Sequence, residues 1–148
     1  MLKVTPSFTF NGQCSQAIEL YKEAFSAEVK VKILYSDADP KDFQYKNEDE
    51  KDFIFHSQIK IGSQIIYLAD DSGGVLNEDI QGKSGKSSLM NLLIGFESDD
   101  ELKAAYEILS DGATILVPMC STTYCSCYVF LTDKFGGCWE LMSGYKGE

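Results

Sequence analysis

Three sets of side chains in this 148-residue chain have types and spacing suited to chemistry: one histidine, one carboxylate inside an apolar run, and a group of thiols. His56 lies in Ile54-Phe55-His56-Ser57-Gln58, an alternating stretch that puts it on one strand face with Ile54, Gln58 and Lys60. If that face lines a cleft, the imidazole can donate to a ligand or act as a base near neutral pH. The alternative is a structural hydrogen bond. Glu140 sits between Trp139 and Leu141. An inward carboxylate there needs a partner or a raised pKa, which leaves two readings, a base in a site or a hydrogen bond to a neighbouring strand.

Cys120, Cys125 and Cys127 cluster, with Cys138 across a turn. Their spacings, C-x4-C-x-C and C-x10-C, lack the paired C-x2-C knuckles of common structural zinc sites. Cys125 and Cys127 share a strand face, so they either meet a ligand or fill a core as small apolar groups. Gly85-Lys86-Ser87 resembles the end of a phosphate-binding loop, but the glycine needed five residues earlier is Ile80, and a strand rather than a helix is expected to follow.

The elements that must position these residues repeat. Pro6–Phe10 reads as a short strand closed by the turn Asn11-Gly12. Ala17, Ile18, Tyr21, Ala24 and Phe25 then recur at the spacing of one helical face. Strands are expected at Glu28–Tyr35, Phe53–Ile61 and Gln64–Asp70. The second copy runs from a strand at Leu89–Phe96 to a helix opened by the capping box Ser98/Glu101, with Leu102, Ala105, Tyr106 and Leu109 as its stripe and Gly112 as its stop. Strands at Ala113–Val117, Cys125–Thr132 and Cys138–Ser143 complete it. The pattern is βαβββ twice, an internal duplication in one domain, 1–148, made of modules at about 1–75 and 86–148. Asp37–Asp52, with seven acids and three lysines, and Asp71–Ser88 read as loops; the first is either a flap over a cleft or a solvated insertion.

The formal net charge of −10 argues against nucleic acid and against an anionic membrane surface, since both draw on clustered Lys and Arg. No run of about 18 apolar residues offers a membrane span. The first residues carry no export signal, and an odd count of five cysteines fits reduced thiols. A cytoplasmic protein is expected.

The run Val4–Gly12, the helix Ala17–Phe25, the segments Phe55–Gly62 and Tyr67–Asp71, and Thr132–Leu141 together resemble the PhnB-like branch of the glyoxalase/bleomycin-resistance/dioxygenase superfamily, the vicinal oxygen chelate proteins. That resemblance implies an α+β fold of two βαβββ modules whose mixed sheets curl around a cleft, completed by a homodimer. In enzymes of the superfamily a divalent metal in the cleft polarises a substrate with adjacent oxygens. Here Glu140 matches the carboxylate position on the final strand, but no histidine stands near Ser7–Thr9, Tyr67–Asp70 or Met90–Asn91. No metal residues are therefore assigned, no cofactor is expected, and any divalent metal would bind weakly. Members of this branch are often labelled methyltransferases, yet the chain has no G-x-G-x-x-G for a Rossmann-type methyl donor.

The expectation is a small-molecule ligand bound by His56, Tyr67, Cys127 and Glu140, with Glu140 as the catalytic candidate if the protein is an enzyme. The alternatives are a metal-assisted lyase, isomerase or transferase on an oxygen-rich substrate, or a non-catalytic interaction subunit.

Overall fold

The computed structural model describes residues 1–71 and 90–147. They form two compact units, one within residues 1–77 and one within 78–148. In the first, β1 (Ser7–Phe10), α1 (Cys14–Phe25), β2 (Glu28–Leu34), β3 (Ile54–Ile61) and β4 (Gln64–Asp70) build a four-stranded sheet in the order β1-β4-β3-β2. β1 runs parallel to β4, and the other neighbours are antiparallel. The second unit repeats this with β5 (Leu92–Phe96), α2 (Asp99–Leu109), β6 (Thr114–Cys120), β7 (Cys125–Thr132) and β8 (Cys138–Tyr145), in the order β5-β8-β7-β6. β5 and β8 are the parallel pair. The chain is thus α+β, βαβββ twice.

Each sheet buries one face beneath its helix. In the first unit Ala17, Ile18 and Tyr21 of α1 meet Ile59, Ile66 and Leu68, all nearly inaccessible. In the second, Leu102, Ala105 and Leu109 of α2 are buried with Val129, Leu131, Trp139 and Leu141. Full burial of each large aliphatic side chain stabilises by roughly 2 kcal/mol relative to exposure. Strand alternation sends the neighbouring residues to the helix-free face.

The helix starts are fixed by the last strand of each sheet. α1 has no side-chain N-cap, because Gln13 occupies that position without bonding. Its first free amide, Cys14 N–H, instead donates to Asp70 Oδ1 at the end of β4, 2.9 Å away. Asp70 Oδ2 accepts from Ile54 N–H at 2.8 Å, so one buried carboxylate ties α1, β3 and β4. Ser98 caps α2 as expected, accepting from Glu101 N–H at 3.1 Å. At the position matching Asp70, Ser143 Oγ donates to Asp99 Oδ1 in the first turn of α2, 2.6 Å.

Three expected strand boundaries are corrected. β2 stops at Leu34 and passes into a 3-10 turn at Tyr35–Asp37, with register shifts on either side of Val31–Ile33 breaking the alternation. β6 does not end at Pro118 but runs to Cys120; it is an edge strand, where a residue lacking an N–H costs no ladder bond. α1 closes on Ser26 in the left-handed region, φ 54°, and β5 begins at Leu92 rather than Leu89. The Asp71–Ser88 loop, Gly85-Lys86-Ser87 and position 89 lie outside the described residues except for Asp71. The acidic stretch between β2 and β3 carries a second 3-10 turn, Glu48–Glu50. It is held by Phe43, whose ring centroid is 4.5 Å from that of Tyr35 and 5.1 Å from that of Phe55.

Candidate functional site

The registers make the two sheets superimposable residue by residue. Ser7 pairs with Tyr67, and Gln58 pairs with Tyr67 on its other side. In the second unit Leu93 and Phe130 flank Glu140 in the same way. Tyr67 and Glu140 are therefore equivalent, and one step along, His56 matches Tyr128. All four belong to helix-free faces.

In the second unit the Glu140 side chain is half-buried, and each of its oxygens accepts one hydrogen bond from a neighbour. Tyr128, two residues before its cross-strand partner Phe130, donates its hydroxyl to Glu140 Oε2 at 2.7 Å. Asn91, just before β5, donates its side-chain amide to Oε1. Burial, and then the hydrogen bond to Glu140 and its charge, push the Tyr128 phenol well above its ordinary pKa. The phenol thus remains the donor and Glu140 the acceptor at neutral pH. Tyr124 and Tyr145, both exposed, extend the aromatic surface: the Tyr124 centroid is 6.4 Å from that of Tyr128 and 6.4 Å from that of Tyr145.

In the first unit the equivalent place holds an imidazole, an amide and a phenol. The His56 ring meets the Tyr67 ring edge-on, with centroids 5.0 Å apart. Gln58 Nε2 lies 3.1 Å from His56 Nε2. With the amide nitrogen donating, the imidazole keeps its proton on Nδ1. His56 and Tyr67 are both half-buried.

Cys127 does not join this chemistry. It pairs with Ser143 on the helix-covered face of the sheet and is 4% exposed. Alternation separates it from Tyr128 and Glu140, so its expected place among the ligand-facing residues is corrected. Burial first, then the charge of Asp99, raise its thiol pKa. Cys125 is also buried, its Sγ 3.1 Å from Thr122 Oγ1. All five cysteines are free. The residues missed by sequence reasoning are Tyr128 and Asn91. Tyr128 was passed over beside Cys127, and Asn91, 49 positions from Glu140, entered only as a place where the superfamily's histidine is missing.

Divalent metals in enzymes of this architecture need several donors, and the positions here supply few. Beside Glu140 stands Leu93, which has none; beside Tyr67 stands Ser7, a hydroxyl. Among the described residues, no three of His, Cys, Asp or Glu come together as a metal-holding group. The donor set around Glu140 does not fit a tightly held divalent ion. Likewise no described helix is long and apolar enough to cross a membrane.

Two such sheets, each with its first and last strands paired in parallel, match solved proteins over nearly the full chain. The glyoxalase/bleomycin-resistance/dioxygenase domain from Frankia sp. EAN1pec has a TM-score of 0.65 at 18% identity, covering 100% of this chain and 96% of its own. The fold is that of the glyoxalase/bleomycin-resistance proteins. Within that fold, the PhnB protein from Bacillus cereus has a TM-score of 0.77 at 20% identity, over 97% of this chain and 100% of its own. Protein YjdN of Escherichia coli (strain K12) is 25% identical over 149 residues, covering 95% of this chain and 94% of its own length. No family model matches the chain.

Proposed function

We propose that this chain is a PhnB-like member of the glyoxalase/bleomycin-resistance superfamily that binds a small organic molecule at the helix-free face around Glu140, without a tightly held metal. The observation that carries the reading is the Glu140 constellation itself. A half-buried carboxylate is held in one orientation by Tyr128 and Asn91, while its parallel-strand neighbour Leu93 offers no donor atom. A carboxylate has about four acceptor positions and only two are used by these partners, so both oxygens can still take a ligand proton or hydrogen bond. If the ligand is also a substrate, Glu140 is the base within reach, and the Tyr128 hydroxyl is the donor that would follow charge onto it. His56, Gln58 and Tyr67 form the corresponding polar group of the first unit. The fold likeness to the Bacillus cereus PhnB protein supports the family assignment. The same reading carries a cytoplasmic homodimer, whose mass sedimentation would report.

Calorimetric titration of chelator-treated protein with Mn2+, Ni2+ and Zn2+ tests the metal half. No stoichiometric site of micromolar affinity or better is expected, and finding one that disappears in Glu140→Gln overturns it. For the ligand half, compounds that raise the wild-type melting temperature should fail to do so in Glu140→Gln, because only binding to the native state stabilises it.

A further inference from the structure

Resting on that reading of the Glu140 site, we infer that its ligand carries a positively charged nitrogen: the site is built for an organic ammonium and against phosphates, phosphonates and carboxylates. The argument starts from an absence in the composition. The chain contains 13 lysines and no arginine, so the planar fork that most often grips oxyanions bidentately is not available anywhere in it. In the second unit the described lysines are Lys103 on α2, Lys134 in the β7–β8 turn and Lys146 beyond β8, none of them on the sheet. Among the described residues, no lysine lies within ion-pair distance of Glu140; the five ion pairs join other residues at the surface. Among the described residues, the Glu140 carboxylate is met by two neutral donors and by no cation.

Two aromatic residues of β7 share the sheet face of that carboxylate, and a third lies just before the strand. Tyr128 holds the carboxylate, Phe130 is its cross-strand neighbour, and Tyr124 meets Tyr128 at an interplanar angle of 74° with 44% of its surface exposed. Ring faces attract a cation through their quadrupole, most of all an alkylammonium that is weakly hydrated. A carboxylate next to such rings supplies the complementary charge, and the net charge of −10 raises the local concentration of cations around the molecule. An anion at the same place would meet a carboxylate that, among the described residues, has no ion-pair partner to offset it.

The test is an NMR titration of the isotopically labelled protein, in chelator, with three probes of one shape: benzyltrimethylammonium, benzyl alcohol and benzylphosphonate. Benzyltrimethylammonium is expected to shift the amides of Asn91, Tyr128 and Glu140 and to bind at least tenfold more tightly than benzylphosphonate. Glu140→Gln should weaken it tenfold or more, and Tyr124→Leu, at an exposed position that leaves the fold alone, severalfold. Equal or tighter binding of benzylphosphonate at those amides overturns the inference while leaving the site in place. Cation binding unaffected by both substitutions also overturns it. If none of the three probes moves those amides, the site reading fails together with the inference.

Discussion

Tyr67 and Glu140 occupy the same node of two sheets built alike: each lies on the last strand, with a parallel neighbour on one side and an antiparallel one on the other. The duplication has kept the position and changed its chemistry, a phenol over His56 in one unit and a carboxylate over Tyr128 in the other. Of the two equivalent nodes, only Glu140 bears a carboxylate, which is why the proposed site is centred on it.

The Tyr128–Glu140 bond is checked by spectroscopic titration. Burial is the larger cause of the raised Tyr128 pKa and the Glu140 interaction the second. Glu140→Gln is therefore predicted to lower the Tyr128 pKa only part of the way toward that of a free phenol, read as absorbance near 295 nm against a Tyr128→Phe blank. Full return to the ordinary value would place the whole effect in the carboxylate.

Asp70 should show its role in stability and in pH dependence. Its two oxygens accept from Cys14 and Ile54, and an amide there keeps only one acceptor, so Asp70→Asn is predicted to destabilise by about 2 kcal/mol. Burial raises the Asp70 pKa above its ordinary value despite these bonds. The native state thus holds a proton that the unfolded chain releases, and stability from this group is greatest below the ordinary Asp pKa and declines as pH rises through the folded value. In urea unfolding the gap between wild type and Asp70→Asn should be wider in mild acid than at pH 7. A gap that widens toward neutrality contradicts the burial argument.

Thiol labelling reports the corrected placement of Cys127. Cys14 is buried at the start of α1, where burial and then the charge of Asp70 push its pKa to about 12. With Cys125 and Cys127 also buried, a disulfide reagent at pH 8 should label exposed Cys120 quickly and Cys138 more slowly in the native protein. The remaining three should react only on unfolding. Rapid native labelling of Cys127 would put it back on the ligand-facing side.

The β7–β8 turn hangs on Asp133. Its Oδ1 accepts from Phe135 N–H at 2.8 Å and Gly137 N–H at 3.0 Å, and its Oδ2 from the Trp139 indole at 2.8 Å. Asp133→Ala leaves a fully buried indole N–H without this acceptor, with a predicted loss of about 3 kcal/mol in chemical denaturation. Since Trp139 immediately precedes Glu140, the same variant should also weaken any ligand of the Glu140 site.

The duplicated architecture was legible because it is written in local periods: the stripe through Ala17, Ile18 and Tyr21, the Ser98 cap, and the alternation through Cys125–Thr132 each specify an element without reference to the rest. Boundaries were lost where tertiary position overrides local preference. Pro118 reads as a strand end, yet the outer place of β6 lets the strand pass through it. Of the site, Glu140 was visible as a carboxylate in an apolar run, His56 as sharing a strand face with Gln58, and Tyr67 only as a residue expected to line the cleft. The hydrogen bonds that hold Glu140 were not, since Asn91 reaches it across 49 residues of chain and only the family resemblance put the two near one site. Cys127 was misplaced for a related reason: a period of two says which residues share a face, but not which face the helix covers.

The most direct measurement is a thermal-shift screen of small organic compounds run in chelator on wild type and Glu140→Gln side by side. Hits that stabilise the wild type and leave Glu140→Gln unmoved are the predicted result. Hits that shift both proteins equally, or that act only when a divalent metal is restored, would contradict a metal-free site centred on Glu140.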